Sequence, residues 1–184
     1  PIPPSLRLRQ TLQGHADWVW AIAWSPDGKI LASCSSDRTI KLWELDSGNC
    51  IKTCSEHADI VHAIAWSPDG KTLVSGSSDK TVRIWDVTTD TCRQILTGHK
   101  NQISGVTFSP DGKQVASCEA QTIKLWEVKT GECCQTLSDG LTFIWSITWS
   151  PDGKTLAFGD AKGVKLWEVE TGECRQILSG FTSQ

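Results

Sequence analysis

The pentapeptide Ser-Pro-Asp-Gly-Lys occurs four times in 184 residues, at Ser25–Lys29, Ser67–Lys71, Ser109–Lys113 and Ser150–Lys154. The successive offsets are 42, 42 and 41 residues. An aromatic residue precedes each copy (Trp24, Trp66, Phe108, Trp149), and a Trp follows that aromatic by 18 or 19 residues (Trp43, Trp85, Trp126, Trp167). Four matches at one period specify an array of equivalent supersecondary units, each stacked on its neighbours. A fold with one undivided core does not produce such a pattern.

The signals within one period are strands and turns. Val19 to Trp24 alternates small residues (Ala21, Ala23) with large ones (Trp20, Ile22, Trp24), as a strand requires. Pro26-Asp27-Gly28 supplies a turn: Pro presets φ, Asp bonds back to the backbone, and Gly accepts positive φ. Ile30–Ser35 and Thr39–Glu44 read as second and third strands around Ser36-Asp37-Arg38, and Cys50–Cys54 begins a fourth after Asp46-Ser47-Gly48. Each period is a four-stranded antiparallel meander with apolar residues on both faces. No single unit can bury its own surface. Units stacked around an axis can, which predicts an all-β propeller of four-stranded blades, four per chain.

Gly14-His15, Ser36-Asp37, Leu42-Trp43-Glu44 and Ile84-Trp85-Asp86 resemble the WD-repeat family over nearly the whole chain, from about Leu6 to Ile177. Only Trp85-Asp86 keeps the literal Trp-Asp pair; the other copies read Trp-Glu, a conservative departure. The resemblance divides the chain into an outer clasp strand (1–13), repeats at 14–54, 55–96, 97–137 and 138–178, and the start of a further unit at 179–184. It also implies a bracing hydrogen-bond chain in each blade: His15, Ser33, Asp37 and Trp43 in the first, His57, Ser75, Asp79 and Trp85 in the second. A Ser-His-Asp set invites a triad reading, but a set that recurs in each blade and includes an indole donor points to structure. Blade three keeps His99, Ser117 and Trp126, with Glu119 as the nearest stand-in for the missing Asp. Blade four has Gly140 and Phe158 where His and Ser belong and retains Trp167. The expectation is that blades three and four rest on apolar packing instead.

What varies between blades is the start of the innermost strand, which the resemblance places on the narrow top face. Its two slots hold Trp18 and Trp20 in blade one, Ile60 and His62 in blade two, Gln102 and Ser104 in blade three, and Phe143 and Trp145 in blade four. Two readings stand: Trp20 and Trp145 pack against neighbouring blades, or the aromatics anchor a partner, since Trp is enriched where binding energy concentrates.

Several classes of function are disfavoured. Basic residues number 18 against 21 acidic, with no basic stripe for phosphates, so no nucleic-acid partner is expected. No apolar run is long enough to span a membrane. The P-loop, G-x-S-x-G and H-E-x-x-H motifs are missing, so no enzyme and no cofactor are expected. The 8 cysteines offer only one C-x3-C pair (Cys50, Cys54), which points away from a metal site. Cys34 and Cys118 fall on second strands as small hydrophobes, while Cys50, Cys92, Cys133 and Cys174 recur on outer strands too far apart to bridge. Thiols suit the cytoplasm.

Four blades make an arc, and the family usually closes with seven. Leu8 to His15 aligns with Cys92 to His99, so the chain carries one outer strand more than four blades need. With no Met anywhere, it reads as processed, trimmed or part of a longer array. The expectation is a protein-interaction scaffold with an unidentified protein partner, closed as two chains in an eight-blade ring. The alternative is a small-ligand or glycan receptor with an aromatic cage on the same face.

Overall fold

The computed structural model describes residues 8–89, 91–138, 143–161 and 163–178. Among them are sixteen strands and no helix. Blade one comprises β1 (Val19–Trp24), β2 (Ile30–Ser35), β3 (Ile40–Glu44) and β4 (Cys50–Cys54). Blade two comprises β5 (Val61–Trp66), β6 (Thr72–Ser77), β7 (Val82–Asp86) and β8 (Thr91–Leu96). Blade three comprises β9 (Ile103–Phe108), β10 (Gln114–Glu119), β11 (Thr122–Glu127) and β12 (Cys133–Leu137). Blade four comprises β13 (Ser146–Trp149), β14 (Thr155–Asp160), β15 (Gly163–Glu168) and β16 (Glu173–Leu178). Each blade is a separate antiparallel sheet in chain order, as the repeat predicts.

The Ser-Pro-Asp-Gly-Lys turns are built alike. Ser25 Oγ donates to Asp27 at 2.6 Å and accepts the Ile30 amide at 2.9 Å, and Gly28 sits at φ 70° where a side chain would be strained. The same bonds recur at Ser67, Ser109 and Ser150. The third strand begins at Ile40 rather than Thr39, because Asp37 claims both the Thr39 amide and its hydroxyl.

The apolar cores lie between blades, one at each junction. Ala32, Cys34, Ile40 and Leu42 of blade one meet Val61, Ile64 and Trp66 of blade two. Val74, Val82 and Ile84 meet Ile103, Val106 and Phe108, and Ala116, Ile123 and Leu125 meet Ile144, Ile147 and Trp149. Each blade thus has a leading face, carried by its inner strand, and a trailing face that receives the next blade. Burying one large apolar side chain contributes about 1.5–3 kcal/mol, so a junction of this kind dominates the stability of either blade beside it.

The two ends show what a missing neighbour does. Val19, Ile22 and Trp24 on the leading face of blade one are 50%, 59% and 59% exposed, whereas their counterparts in blades two to four are buried. Val164 at the trailing end is also exposed, unlike its counterparts Ile40, Val82 and Ile123.

Of the outer strand expected over 1–13, residues 1–7 lie outside the described residues, and residues 8–13 are not in a strand here. A fourth strand needs the free edge of a third. Here β3, β7, β11 and β15 are already paired with β4, β8, β12 and β16. The expected further unit at 179–184 lies outside the described residues.

Candidate functional site

Four inner strands, β1, β5, β9 and β13, run side by side, so the residues at their beginnings share one rim of the arc. In three of them the second rim slot is a β-bulge. The register of β1 skips between Val19 and Ala21, that of β5 between Val61 and Ala63, and that of β9 between Ile103 and Gly105. The residues skipped are Trp20, His62 and Ser104. A bulge re-aims a side chain away from the pleat; here Trp20 lies on the exposed rim and His62 beside it, whereas Ser104 faces the third junction.

The rim residues form two clusters. Trp18 and Trp20 are exposed, with ring centroids 6.4 Å apart, and Trp20 meets the His62 ring of the next blade edge-on at 5.1 Å. The Trp20 indole N–H donates to Ser36 Oγ at 2.7 Å, and His62 Nε2 lies 2.7 Å from Ser78 Oγ. Burial lowers the pKa of His62 despite the nearby Asp59 carboxylate, so the ring is neutral. Ile60 is half-buried beside it. On blade four, Phe143 and Trp145 are exposed and tilted together at 4.5 Å. Blade three contributes no aromatic: Gln102 is exposed, and Ser104 Oγ donates across the junction to the Ile144 carbonyl at 2.7 Å.

Ser36 and Ser78 are the rim contacts that the sequence alone does not single out. Each directly precedes a turn Asp, and blades three and four have Ala120 and Ala161 there, so Ser104 and Trp145 have no such hydroxyl beside them.

The polar chains lie beneath the surface. Trp43 Nε1 donates to Ser33 Oγ at 2.8 Å, Ser33 meets His15 Nε2 at 2.7 Å, and His15 Nδ1 meets Asp37 Oδ2 at 2.8 Å. Trp85, Ser75, His57 and Asp79 repeat this at 2.8, 2.7 and 2.7 Å. With the Ser hydroxyl accepting from indole, its own hydrogen goes to His Nε2, and His Nδ1–H goes to the carboxylate. Every member is satisfied. Burial lowers the His57 pKa against the pull of Asp79. Burial also pushes Asp79 upward, but hydrogen bonds from Thr81 and His57 outweigh it and hold the carboxyl at about 2. Ser33, Ser75 and Ser117 are buried, so no substrate reaches the hydroxyl a triad would use.

Blade three corrects the expectation of purely apolar bracing. Trp126 Nε1 donates to Ser117 Oγ at 2.7 Å, and Ser117 lies 2.6 Å from His99 Nε2. Glu119 takes part of the Asp role: its carboxylate accepts the Lys100 amide at 2.8 Å and also the Asn101 amide, with its other oxygen 3.6 Å from His99 Nδ1. Burial depresses His99 to about 4. In blade four Phe158 packs on Trp167 at 6.4 Å, and a buried ion pair joins Lys165 to Asp160 at 2.7 Å. Apolar packing alone is again not the whole account. The Gly140 position lies outside the described residues.

The cysteines stand as thiols. Burial raises Cys34 to about 12 and Cys118 to about 11, whereas Cys50, Cys133 and Cys134 are exposed on outer strands. Among the described residues no group of three or more His, Cys, Asp or Glu is placed to hold a metal ion, and no helix is long and apolar enough to cross a membrane.

Comparison with known proteins agrees with this architecture. Residues 6–44 match the family model "WD domain, G-beta repeat", and residues 38–184 match "IFT122 first beta-propeller". A 38-residue stretch is 55% identical to a probable cytosolic iron-sulfur protein assembly protein CIAO1 homolog of Ixodes scapularis, covering 21% of this chain and 12% of that protein. A 50-residue stretch is 48% identical to nuclear distribution protein PAC1 of Tuber melanosporum, covering 27% of this chain and 11% of that protein. The matched stretches are thus about one ninth to one eighth of those relatives. With 147 of its 184 residues (38 to 184) inside one propeller model and the rest of the first repeat inside the other, the chain belongs to the WD-repeat propellers, in the IFT122 first beta-propeller family.

Proposed function

We propose that this chain is a non-catalytic protein-interaction scaffold that presents the rim residues Trp18, Trp20, Ile60, His62, Phe143 and Trp145 to a protein partner in the cytoplasm. The observation that carries this reading is the bulged rim. Trp20 and His62 sit at bulges on the rim, and large aromatic surface is left facing solvent at Trp18, Trp20 and Trp145. Trp is well suited to such a surface, with much apolar area and one polar handle. WD-repeat propellers generally serve as interaction platforms, and a relative's printed name places it in cytosolic protein assembly.

Two copies closing an eight-blade ring would set Phe143 and Trp145 of one chain beside Trp18 and Trp20 of the other. A receptor for a small ligand or glycan is the second reading, favoured by ring pairs flanked by hydroxyls, as at Trp20–His62 with Ser36 and Ser78.

The test compares the wild type with a Trp18→Ala, Phe143→Ala, Trp145→Ala variant as immobilised baits. All three side chains are exposed, so the melting transition should hold. Proteins retained by the wild type and lost from the variant support the scaffold. Saturable quenching of tryptophan fluorescence by one glycan or small molecule, with no difference in retained proteins, would replace it with the receptor.

A further inference from the structure

Cysteine recurs at one register of the outer strands: Cys50, Cys92, Cys133 and Cys174 each pair with the Trp of the third strand. The opposite end of these strands breaks the repeat. There the residue paired with the start of the third strand is Cys54 in blade one, but Leu96, Leu137 and Leu178 in the other blades. Blade one thus carries a thiol where every other blade carries a leucine.

The faces of the blades decide what that thiol meets. Residues directly opposite each other in neighbouring strands share a face. Cys54 therefore comes up on the face of Ile40, which belongs to the first-junction core between blades one and two. In β8 the register skips Arg93, so Cys92 comes up on the face of Trp85, which meets the same core from the other side. Both thiols pack against that core, and both are half-buried. Arg83 bridges the space between them: its Nη1 lies 3.6 Å from Cys92 Sγ and 3.1 Å from Glu56 Oε2, and Glu56 follows Cys54 by two residues.

Other pairings of Cys54 are out of reach. Cys50 stands at the opposite end of β4, about 13 Å away by strand rise, whereas a disulfide spans at most about 7 Å. Cys34 lies two strands inward on the same face, about 9–10 Å away by strand spacing, and is wholly buried. Burial raises the Cys54 and Cys92 thiols alike. At Cys92 the Arg83 guanidinium opposes the rise, and the Cys92 charge is near enough to add to the rise at Cys54.

We propose that Cys54 and Cys92 are a dithiol site, which a small-molecule disulfide of the oxidised glutathione kind converts into a covalent clasp between blades one and two. Cys92 is the entry thiol, because the guanidinium beside its Sγ favours the thiolate. Its thiolate attacks one sulfur of the small disulfide and expels the other as a thiolate, which takes up the proton that Cys92 gave. The Cys54 thiolate then attacks Cys92 Sγ, expels the second small thiol and closes the Cys54–Cys92 bond. Two protein thiols are oxidised, and one small disulfide is reduced to two thiols. In a reducing compartment the pair stays open. The Trp20–His62 contact of the rim spans the same junction, so the clasp ties together the two blades that carry it.

The test incubates the folded full chain with reduced and oxidised glutathione in varied ratio, blocks the remaining thiols, and reads the digested peptides by mass spectrometry. Cys54→Leu and Cys92→Ser are the comparison variants. Leucine is what the other blades carry at the register of Cys54, so Cys54→Leu should keep the wild-type circular dichroism. The wild type should yield a Cys54 peptide linked to a Cys92 peptide, lighter by two hydrogens than their sum, and neither variant should yield it. Oxidation should raise the urea midpoint of the wild type, since the link removes freedom from the unfolded chain, and should not raise that of Cys54→Leu. Recovery of Cys54 and Cys92 only as separate glutathione adducts, or unreacted in a buffer that has modified Cys133, overturns the dithiol site. A Cys54–Cys92 link that lowers the midpoint overturns the clasp, because the bond then strains the junction it was to hold.

Discussion

Lys165 Nζ lies 2.7 Å from Asp160 Oδ2, with both side chains almost wholly out of water in blade four. The pair joins β14 to β15 where blades one to three place the Ser of their polar chain opposite Lys41, Arg83 or Lys124. Removing one partner of a buried pair leaves an uncompensated charge and costs about 3–5 kcal/mol, whereas replacing both with apolar groups is often neutral. Asp160→Ala is therefore expected to lower the denaturation midpoint sharply, and Asp160→Ala with Lys165→Met to recover most of it. Equal midpoints for the single and double variants would show that the pair contributes no more than its volume.

Gly76 faces the opposite constraint, because what it lacks is space. A methyl group there must displace Ile103, and overpacking of this kind typically costs about 1–3 kcal/mol. Gly76→Ala is expected to destabilise the second junction by that amount. Gly76→Ala with Ile103→Val should not recover it fully, because Ile103 Cβ itself lies 2.9 Å from the added carbon. Denaturant titrations of the three proteins decide the matter.

Glu119 gives a third expectation. Its carboxylate is buried and accepts the amides of Lys100 and Asn101, which no other group in that loop replaces among the described bonds. Glu119→Ala leaves those donors unpaired, at about 1–3 kcal/mol, and amide exchange at Lys100 and Asn101 should accelerate most. Unchanged exchange there would mean that water substitutes for the carboxylate.

Most of the blade architecture was legible because the turns punctuate it. Each Ser-Pro-Asp-Gly-Lys fixes the end of one strand and the start of the next, so the strand bounds follow to within a residue. His15, Ser33, Asp37 and Trp43 converge because the period returns them to one level of the blade. What could not be read off depended on contacts outside the period. Glu119 looks like a gap in the alignment, since its turn is one residue short, yet one extra methylene lets its carboxylate reach the same loop amides. Asp160 and Lys165 are invisible as a pair until β14 and β15 are in register. Residues 8–13 match an outer strand in composition, but a strand also needs an edge, and every third strand already had its own partner. The bulges that turn Trp20 and His62 outward leave no trace in an alternating pattern.

Acid should dismantle the molecule in two steps, and the buried histidines set the first. Burial holds His99 at about 4, and lowers His57 as well, against an ordinary value near 6.5. A histidine depressed in the folded state is neutral there while the unfolded chain takes up the proton. Its stabilisation is complete above pH 6.5 and is lost as pH falls towards 4, on the order of 3 kcal/mol for His99. Asp79 follows: held at about 2 against 3.8, it stabilises the fold above pH 3.8 and loses that contribution as pH drops towards 2. Denaturant midpoints at pH 7, 5 and 3 should therefore decline throughout. His99→Gln should start lower at pH 7 yet decline less between pH 7 and pH 5, because the group that refuses the proton is gone. A wild-type midpoint that stays level from pH 7 to 4 would show that the histidine chains open to solvent before they titrate, and parallel declines in the two proteins would assign the first step to another group.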